Sequence, residues 1–126
     1  HCAILLKHKM GATMTSSNIS RSGLNANSVR QTVSAHNVAN TNTDTFAKQN
    51  TSQQALASGG TSTRVDTVTL STEAKAIAQE INGAQNNVDV AEETVSQIQS
   101  RENFKQNAAV VRTQDEMQKT LLDTTA

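Results

Sequence analysis

The side chains that could perform acid–base chemistry are carboxylates gathered at two places in the C-terminal third. Asp89 precedes Glu92 and Glu93, and Asp115 precedes Glu116. Paired carboxylates can act as general acid and general base when they share a pocket that separates their pKa values. Both groups here fall in a stretch with helical periodicity and no sign of a pocket, where carboxylates usually cap a helix or face solvent. We therefore predict that they are capping and surface residues, and that no catalytic site is present.

The N-terminal segment contains three side chains that can bind a metal ion: His1, Cys2 and His8. We interpret residues 1–14 instead as an N-terminal extension, disordered or added upstream of a natural start at Met10 or Met14. Cys2 is the one cysteine of the chain, so an intramolecular disulfide is excluded. His36 stands alone at helical spacing, and we interpret it as a surface or interface residue. No metal site is predicted.

Other motifs with known chemistry do not occur in the sequence. It contains no glycine-rich phosphate loop, no His-Glu-x-x-His and no Gly-x-Ser-x-Gly. Eleven basic and eleven acidic residues give a net charge of zero, with no basic stripe that would attract nucleic acid. Its apolar runs are far too short for a membrane span. We therefore expect no enzyme activity, no cofactor, no nucleic-acid partner and no membrane insertion.

The composition is poor in the residues that build a core. Two phenylalanines are the only aromatic residues among 126, and Ser, Thr, Asn, Gln and Ala dominate. Burying one compact core would need more large apolar side chains to offset the entropy of the chain. We expect a chain of this kind to fold against copies of itself or against partners.

Residues 71–126 form the predicted C-terminal helical region. Ser71 can cap a first helix, and Asp89 with Glu92 has the spacing of a capping box, in which each residue bonds the backbone amide of the other. The stretch from Asn82 to Asn87 indicates a break between two helices. The apolar rhythm of three and four residues nevertheless continues across it, as in one long seam. We favour a short helix, a loop and a long helix. The apolar strip of the short helix is Ala74, Ile77, Ala78 and Ile81.

The long helix is predicted to bury an apolar face that changes position along its length. Its first part is Val88, Ala91, Val95 and Ile98, and its second part is Phe104, Ala108, Val111, Met117 and Leu121. Such a phase shift alters supercoiling locally, so a simple two-stranded coiled coil over the full length is not expected.

Residues 15–40 form a second predicted helix. Its start can be capped by Ser16, Ser17 or Asn18, and the polar run after Asn40 ends it. Its apolar strip includes Leu24, Ala26, Val29 and Val33. Residues 41–70 are a polar linker in which Val65, Val68 and Leu70 could form a short extended segment. The predicted fold is all-α: the terminal helices pair as a coiled-coil-like hairpin, joined by a short polar loop or a small β-hairpin.

Motifs at both ends resemble those of the bacterial flagellar rod and hook family. At the N-terminal end these are Ser22-Gly-Leu-Asn-Ala26, His36-Asn-Val-Ala-Asn-Thr-Asn-Thr43 and Phe46; at the C-terminal end they are Asn87-Val-Asp-Val-Ala-Glu-Glu93, Phe104-Lys-Gln-Asn107, Thr113-Gln-Asp-Glu-Met117 and Leu121-Leu122. Both sets occur in the order that the family has. His36 replaces an asparagine of the pattern, Thr43 to Phe46 replace its Thr-Pro-Gly-Tyr turn, and Phe104 replaces a tyrosine.

The resemblance implies a structural subunit of the flagellar basal-body rod, most similar to the small proximal rod proteins, because the linker has no room for an inserted β-domain. Its partners would be copies of itself, other flagellar axial proteins and the flagellar type III export apparatus, which would export it without signal cleavage to the periplasm-spanning rod. A hook or distal-rod relative that lost its insert stays within the same family.

The terminal helices are expected to carry the assembly interface. Leu24, Ala26, Val29 and Val33 would oppose the apolar face of the long helix, while asparagines, among them Asn87, would satisfy backbone groups at turns and between subunits. The expected interface residues are Leu24, Ala26, Val29, Val33, Asn37, Asn40, Val88, Ala91, Val95, Ile98, Phe104, Asn107, Val111, Met117 and Leu121. The alternative hypothesis is a helical binding module, an export chaperone or regulator, that pairs with the helices of an axial protein and stops at a closed dimer.

Overall fold

The structure, a computed structural model, describes the backbone of residues 2–82 and 86–125 and the side chains of residues 16–77, 80 and 86–124. Its elements in chain order are α1 (Cys2–Ala39), β1 (Gln49–Ala55), β2 (Thr61–Thr67), α2 (Thr72–Asn82) and α3 (Val90–Thr125). Residues 86–89 are not helical, so α2 and α3 are separate helices, as favoured from the sequence. The side chains of residues 1, 2 and 8, which were not predicted to bind metal, and the apolar positions 78 and 81 lie outside the described side chains.

Helix α1 is longer than predicted. It begins at Cys2 rather than at a cap among residues 16–18, so residues 2–14 continue the helix. This segment contains Ala, Leu, Lys and Met, which favour helix, and its one glycine is not enough to end it. The helix ends at Ala39 as predicted, since the Asn40 amide donates to the carbonyls of His36 and Asn37 at 3.2 and 3.1 Å.

The linker contains an antiparallel hairpin, so the expectation of an all-α fold is corrected to a mostly helical fold with a two-stranded sheet. Gln49 pairs with Thr67 at its base and Ala55 with Thr61 at its tip. Gly59 and Gly60 turn the chain with φ of 88° and 94°, a conformation that glycine adopts without steric cost. The strands are almost entirely polar, which is why only the few apolar residues near Val65 indicated them.

The hairpin lies along α1. Its tip reaches Ser22, whose Oγ accepts a hydrogen bond from the Thr61 amide at 3.0 Å. A Cβ at Gly60 would lie 2.7 Å from the same Oγ, so the close approach itself requires glycine. Its base lies at Asn37, about four helical turns farther along α1. The hairpin is therefore fastened to the helix at both ends.

Helices α1 and α3 pack side by side in an antiparallel pair. Ser17 donates to Gln114 at 2.9 Å near one end, and Ser34 donates to the Glu93 carbonyl at 3.0 Å near the other. Buried residues recur every seven positions on both helices, which is the repeat of a coiled coil. On α1 they are Ser20, Asn27 and Ser34, and on α3 they are Glu93, Ser100 and Gln114, with the half-buried Asn107 at the repeat position between the last two. The pair was predicted, but its seam is polar rather than apolar.

Small side chains, and polar side chains that form hydrogen bonds within their own helix, make this polar seam possible. Gly23 lets Asn107 approach so closely that an added Cβ would lie 3.0 Å from its Nδ2. Asn27 donates to the Gly23 carbonyl at 2.8 Å, and Ser100 donates to the Ser96 carbonyl at 2.7 Å. Because these groups bond the preceding turn of their own helix, burying them leaves no donor unsatisfied.

Little apolar surface is buried within the single chain. Among the described side chains, the buried apolar ones are Ala26 and Val33, at 2% and 8% exposure. Helix α2 packs against no other element among the described residues. Over that same part of the chain, no helix is apolar enough for long enough to cross a membrane. The sequence-based expectation of a weak internal core agrees with this arrangement.

Candidate assembly interface

The start of α3 is fixed by Asp89. Its Oδ1 accepts from the amides of Ala91 and Glu92 at 2.8 and 3.2 Å, so Asp89 is the N-cap that the sequence predicted. The reciprocal half of the predicted capping box is absent, because the Glu92 carboxylate binds Lys48 instead, with Oε2 2.7 Å from Nζ. The cap thus starts the helix while Glu92 connects it to the hairpin.

Asn37 joins α1, the hairpin and α3. Its side chain is 1% exposed. Its Oδ1 accepts from the Gln49 amide at 2.9 Å, and its Nδ2 donates to the Gln49 carbonyl at 2.8 Å. The same Nδ2 donates to Glu93 Oε1 at 2.9 Å. One buried amide therefore satisfies both backbone groups of Gln49, much as a neighbouring strand would.

Lys48 pairs with two carboxylates at this point. Its Nζ lies 2.7 Å from Glu92 Oε2 and 3.3 Å from the buried Glu93 Oε1. Burial of the ammonium opposes its charge, but hydrogen bonds to Glu92 and Glu93 outweigh that effect and raise the pKa of Lys48. The charge of Glu93 is therefore paired and bonded, as a buried carboxylate requires.

Two further asparagines hold the chain just before α3. Asn87 accepts from the Lys48 amide at 2.7 Å and donates to the Val68 carbonyl at 3.2 Å, satisfying backbone on both sides of the hairpin. Asn86 donates to the Thr41 carbonyl, and to the Asn40 carbonyl at 3.3 Å. Asn87 and Asn37 therefore attach the base of the hairpin to the helix pair, and Asn86 attaches the segment before α3 to the turn after α1.

The sequence analysis did not identify several of the residues that join α1, the hairpin and α3. Ser34 and Glu93 sit on the polar seven-residue repeat, and that recurrence was available in the sequence as a signal. Lys48, Gln49 and Asn86 lie in or beside polar loops, where no local pattern distinguishes them from solvated residues. The contacts of Lys48 and Asn86 span 39 and 46 positions of the chain, and the contact of Gln49 with Asn37 spans 12.

The interface residues predicted on α1 lie at or beside the seam. Ala26, Val33 and Asn37 are buried, and Leu24 and Val29 are half-buried. Asn40 is half-buried just beyond α1, and its Nδ2 donates to the His36 carbonyl at 2.9 Å. The exposed His36 ring meets Phe46 edge-on with centroids 5.4 Å apart.

The residues predicted on α3 divide into two groups. Asn107 and Val111 are half-buried along the seam, and Val88 is half-buried just before the helix. The others point outward: Ala91, Val95, Ile98, Phe104, Met117 and Leu121. The expectation that Val95 and Ile98 oppose the apolar residues of α1 is wrong within the chain, because polar Glu93 and Ser100 occupy that side.

The outward residues Ala91, Val95 and Ile98 form one surface, which we call the outer apolar face. Val95 and Ile98 are 54% and 51% exposed. Each lies two positions from a seam residue, Glu93 or Ser100, and so about 160° around the helix from the seam. The outer apolar face is therefore turned away from the seam, although Ala91 and Val95 also line an open pocket with Arg30 of α1 and Asn50 of β1.

Two comparisons with known proteins bear on this arrangement. No curated protein matches the chain. Residues 84–124 match the family model described as flagellar basal body rod FlgEFG protein C-terminal. The matched segment contains the Asp89 cap, the polar seam of α3 and the outer apolar face. Over this segment, about a third of its length, the chain is similar to the C-terminal part of flagellar rod proteins.

Proposed function

We propose that this chain is a structural subunit of the flagellar basal-body rod that assembles with copies of itself and with other axial proteins through α1 and α3. The single observation that carries the proposal is the outer apolar face. It lies on the segment that matches the family model, and the single chain leaves it uncovered. The match to the family model supports a structural role in the flagellar basal body. The outer apolar face supports assembly through contacts between subunits.

The energetics favour association. Fully burying a valine or isoleucine side chain contributes roughly 1.5–3 kcal/mol. About half of that free energy is still available from Val95 and from Ile98, because each side chain is about half exposed. Ala26 and Val33 are small for an internal core, so the apolar surface that remains outside is a large share of what the chain can bury. Assembly would therefore stabilise the fold as well as join the subunits.

Contacts of this kind lead to a tube rather than a closed dimer when the surfaces that meet are different on the two partners. Head-to-tail contacts that do not close generate a helical array. In that arrangement, antiparallel α1 and α3 would line the shaft that carries torque, and the hairpin would lie along its side. A chain with little internal core would also pass easily, unfolded, through a type III export channel.

Sedimentation velocity combined with far-UV circular dichroism tests the proposal on the full chain over a wide range of concentrations. We expect polydisperse, open-ended species that grow with concentration and gain helix. Val95→Asp should give a smaller species, since a charge buried at an interface without a partner is costly. Gln106→Asp, an exposed polar position on the same helix, is the matched control and should assemble normally.

The alternative, a helical binding module such as an export chaperone or regulator, uses the same helices but stops at a fixed stoichiometry. A sharp dimer boundary that does not change with concentration would overturn the proposal in favour of that module. Deleting residues 113–126 gives a second distinction in cells. We expect the truncated rod subunit to be exported but excluded from the polymer.

A further inference from the structure

A groove runs beside the helix seam, on a different side from the outer apolar face. It has a volume of about 340 Å³, and Asn27 and Gln31 of α1 form one wall. Phe104 of α3 lies in it at 43% exposure, with Arg101 and Lys105 along the outer rim. Phe104 and Val95 are nine positions apart, which places them on opposite sides of α3.

The rim of this groove is positively charged. The Arg101 and Lys105 side chains are 66% and 62% exposed. Glu102 lies 3.7 Å from the Arg101 Nε and 3.0 Å from the Lys105 Nζ. One carboxylate shared by two cations leaves a net positive charge beside an exposed aromatic ring. A fitting partner would bring an apolar side chain flanked by acidic ones.

Helix α2 has that pattern. Ile77 is 57% exposed, and α2 packs against no other element among the described residues. Glu73 and Glu80 lie four positions before and three positions after Ile77, which puts all three on one side of the helix. Both carboxylates are exposed and form no salt bridge within the described part of the chain, whereas Lys75 lies on the opposite side of α2.

We propose that α2 of one copy docks into the Phe104 groove of a second copy, with Ile77 over the Phe104 ring and with Glu73 and Glu80 facing Lys105 and Arg101. The occupant is assigned by complementarity: an acidic row beside an apolar residue meets a basic rim beside an apolar residue. Glu73 and Glu80 are about 10 Å apart along the helix axis, a span that the long arginine and lysine side chains can cover.

This inference rests on the proposed function, because it adds a second contact between copies that assemble. The contact would be independent of the outer apolar face, since α2 and the groove lie elsewhere on the chain. It would also explain why α2 is amphipathic although none of the elements in the described part of the chain packs on Ile77.

Site-directed cross-linking tests the contact in a Cys2→Ser background. A chain with Ile77→Cys is mixed with a separate chain with Phe104→Cys, and disulfide formation between them is measured on a gel. We expect a covalent heterodimer at least several-fold more abundant than with Lys75→Cys in place of Ile77→Cys, because Lys75 points away from the groove. Raised salt should lower the yield, since the rim contacts are exposed.

Charge reversal supplies a second measurement. Glu73→Lys with Glu80→Lys should reduce the cross-link, and combining it with a partner carrying Arg101→Glu and Lys105→Glu should restore it. A yield no higher than that of the Lys75→Cys control overturns the inference. So does a chain with both cysteines that forms only an intrachain disulfide, which would place α2 in the groove of its own chain.

The outcomes separate this contact from assembly as a whole. A chain that forms open-ended species without the specific cross-link retains the proposed function and loses this contact. A chain that forms the cross-link but stops at a dimer retains the contact and loses the rod function.

Discussion

The Asn37 side chain bonds both backbone groups of Gln49, accepting from its amide at 2.9 Å and donating to its carbonyl at 2.8 Å. This relationship explains one asparagine of the sequence motif that ends α1. Serine and alanine could not reproduce it, because neither has a donor and an acceptor placed side by side. Asn37 attaches the base of the hairpin to the helix pair, beside Asn87, while Ser22 holds the tip.

We expect Asn37→Ala to destabilise the protein by about 2–3 kcal/mol, since Gln49 backbone groups and Glu93 would lose their buried partner. Urea denaturation followed by circular dichroism measures the loss, and hydrogen exchange should show it first in the hairpin amides. Asn42→Ala is the matched control at an exposed position nearby. Equal stability of the two variants would contradict the attachment role of Asn37.

Gly23 is predicted to tolerate alanine but not valine. A Cβ at Gly23 meets only the end of the Asn107 side chain, which can shift, and alanine gains about 1 kcal/mol of helix propensity over glycine. Valine would overpack the seam and cost about 1–3 kcal/mol.

A double-mutant cycle distinguishes overpacking from lost helix propensity. Asn107→Ala should rescue Gly23→Val, because it removes the side chain that the new methyl groups meet. Thermal denaturation of the native protein, the two single variants and the double variant gives the coupling free energy between the two positions. Additive changes in stability would show that the side chains at positions 23 and 107 do not interact.

Thr45 adopts φ of 64°, the left-handed conformation that a β-branched residue rarely takes. It occupies the position where the resembled pattern Thr-Pro-Gly-Tyr has glycine, a residue that adopts a positive φ without steric cost. We expect Thr45→Gly to raise the free energy of unfolding by about 1 kcal/mol, as strain is relieved. Thr43→Gly, at a position with ordinary backbone, should lower stability in the same thermal denaturation experiment.

Lys48 should make stability depend on pH at the alkaline end. Its pKa in the folded protein is raised above the ordinary value of 10.5 by Glu92 and Glu93, against the effect of burial. A raised pKa means that the stabilisation is fully present below the unfolded-state pKa and is lost as pH rises through the folded-state pKa. Urea midpoints from neutral pH to above 10.5 should therefore fall more steeply in the native protein than in Lys48→Met. Lys105→Met removes an exposed pair instead, and it should keep the native slope.

The sequence predicted the helices well and their contacts poorly. Apolar periodicity located Val95 and Ile98 on one face of α3, and they do share a face, but that face is not the one that meets α1. Periodicity identifies residues that need burial without identifying what covers them, and here α1 covers Glu93 and Ser100 instead. A search for polar residues recurring every seven positions would have found this seam.

The hairpin and the start of α1 were harder to predict for different reasons. Strands made of Gln, Ser and Thr have no apolar alternation, and they are held by Asn37 and Asn87 from distant parts of the chain. Local patterns do not contain such contacts. The serines near residue 16 looked like a helix cap, but strong helix formers upstream carry α1 through them. Intrinsic propensity there outweighed the capping signal.

The polar seam also determines how the helix pair can move. Within the residues described, the side-chain hydrogen bonds between α1 and α3 come from Ser16, Ser17, Ser34 and Asn37, at the two ends of the contact. Between these ends, Asn27 and Ser100 bond within their own helices. Their hydrogen bonds are therefore kept when the neighbouring helix slides or twists slightly. We therefore expect the register to be held at its two ends, with any small twist of the pair accommodated between them.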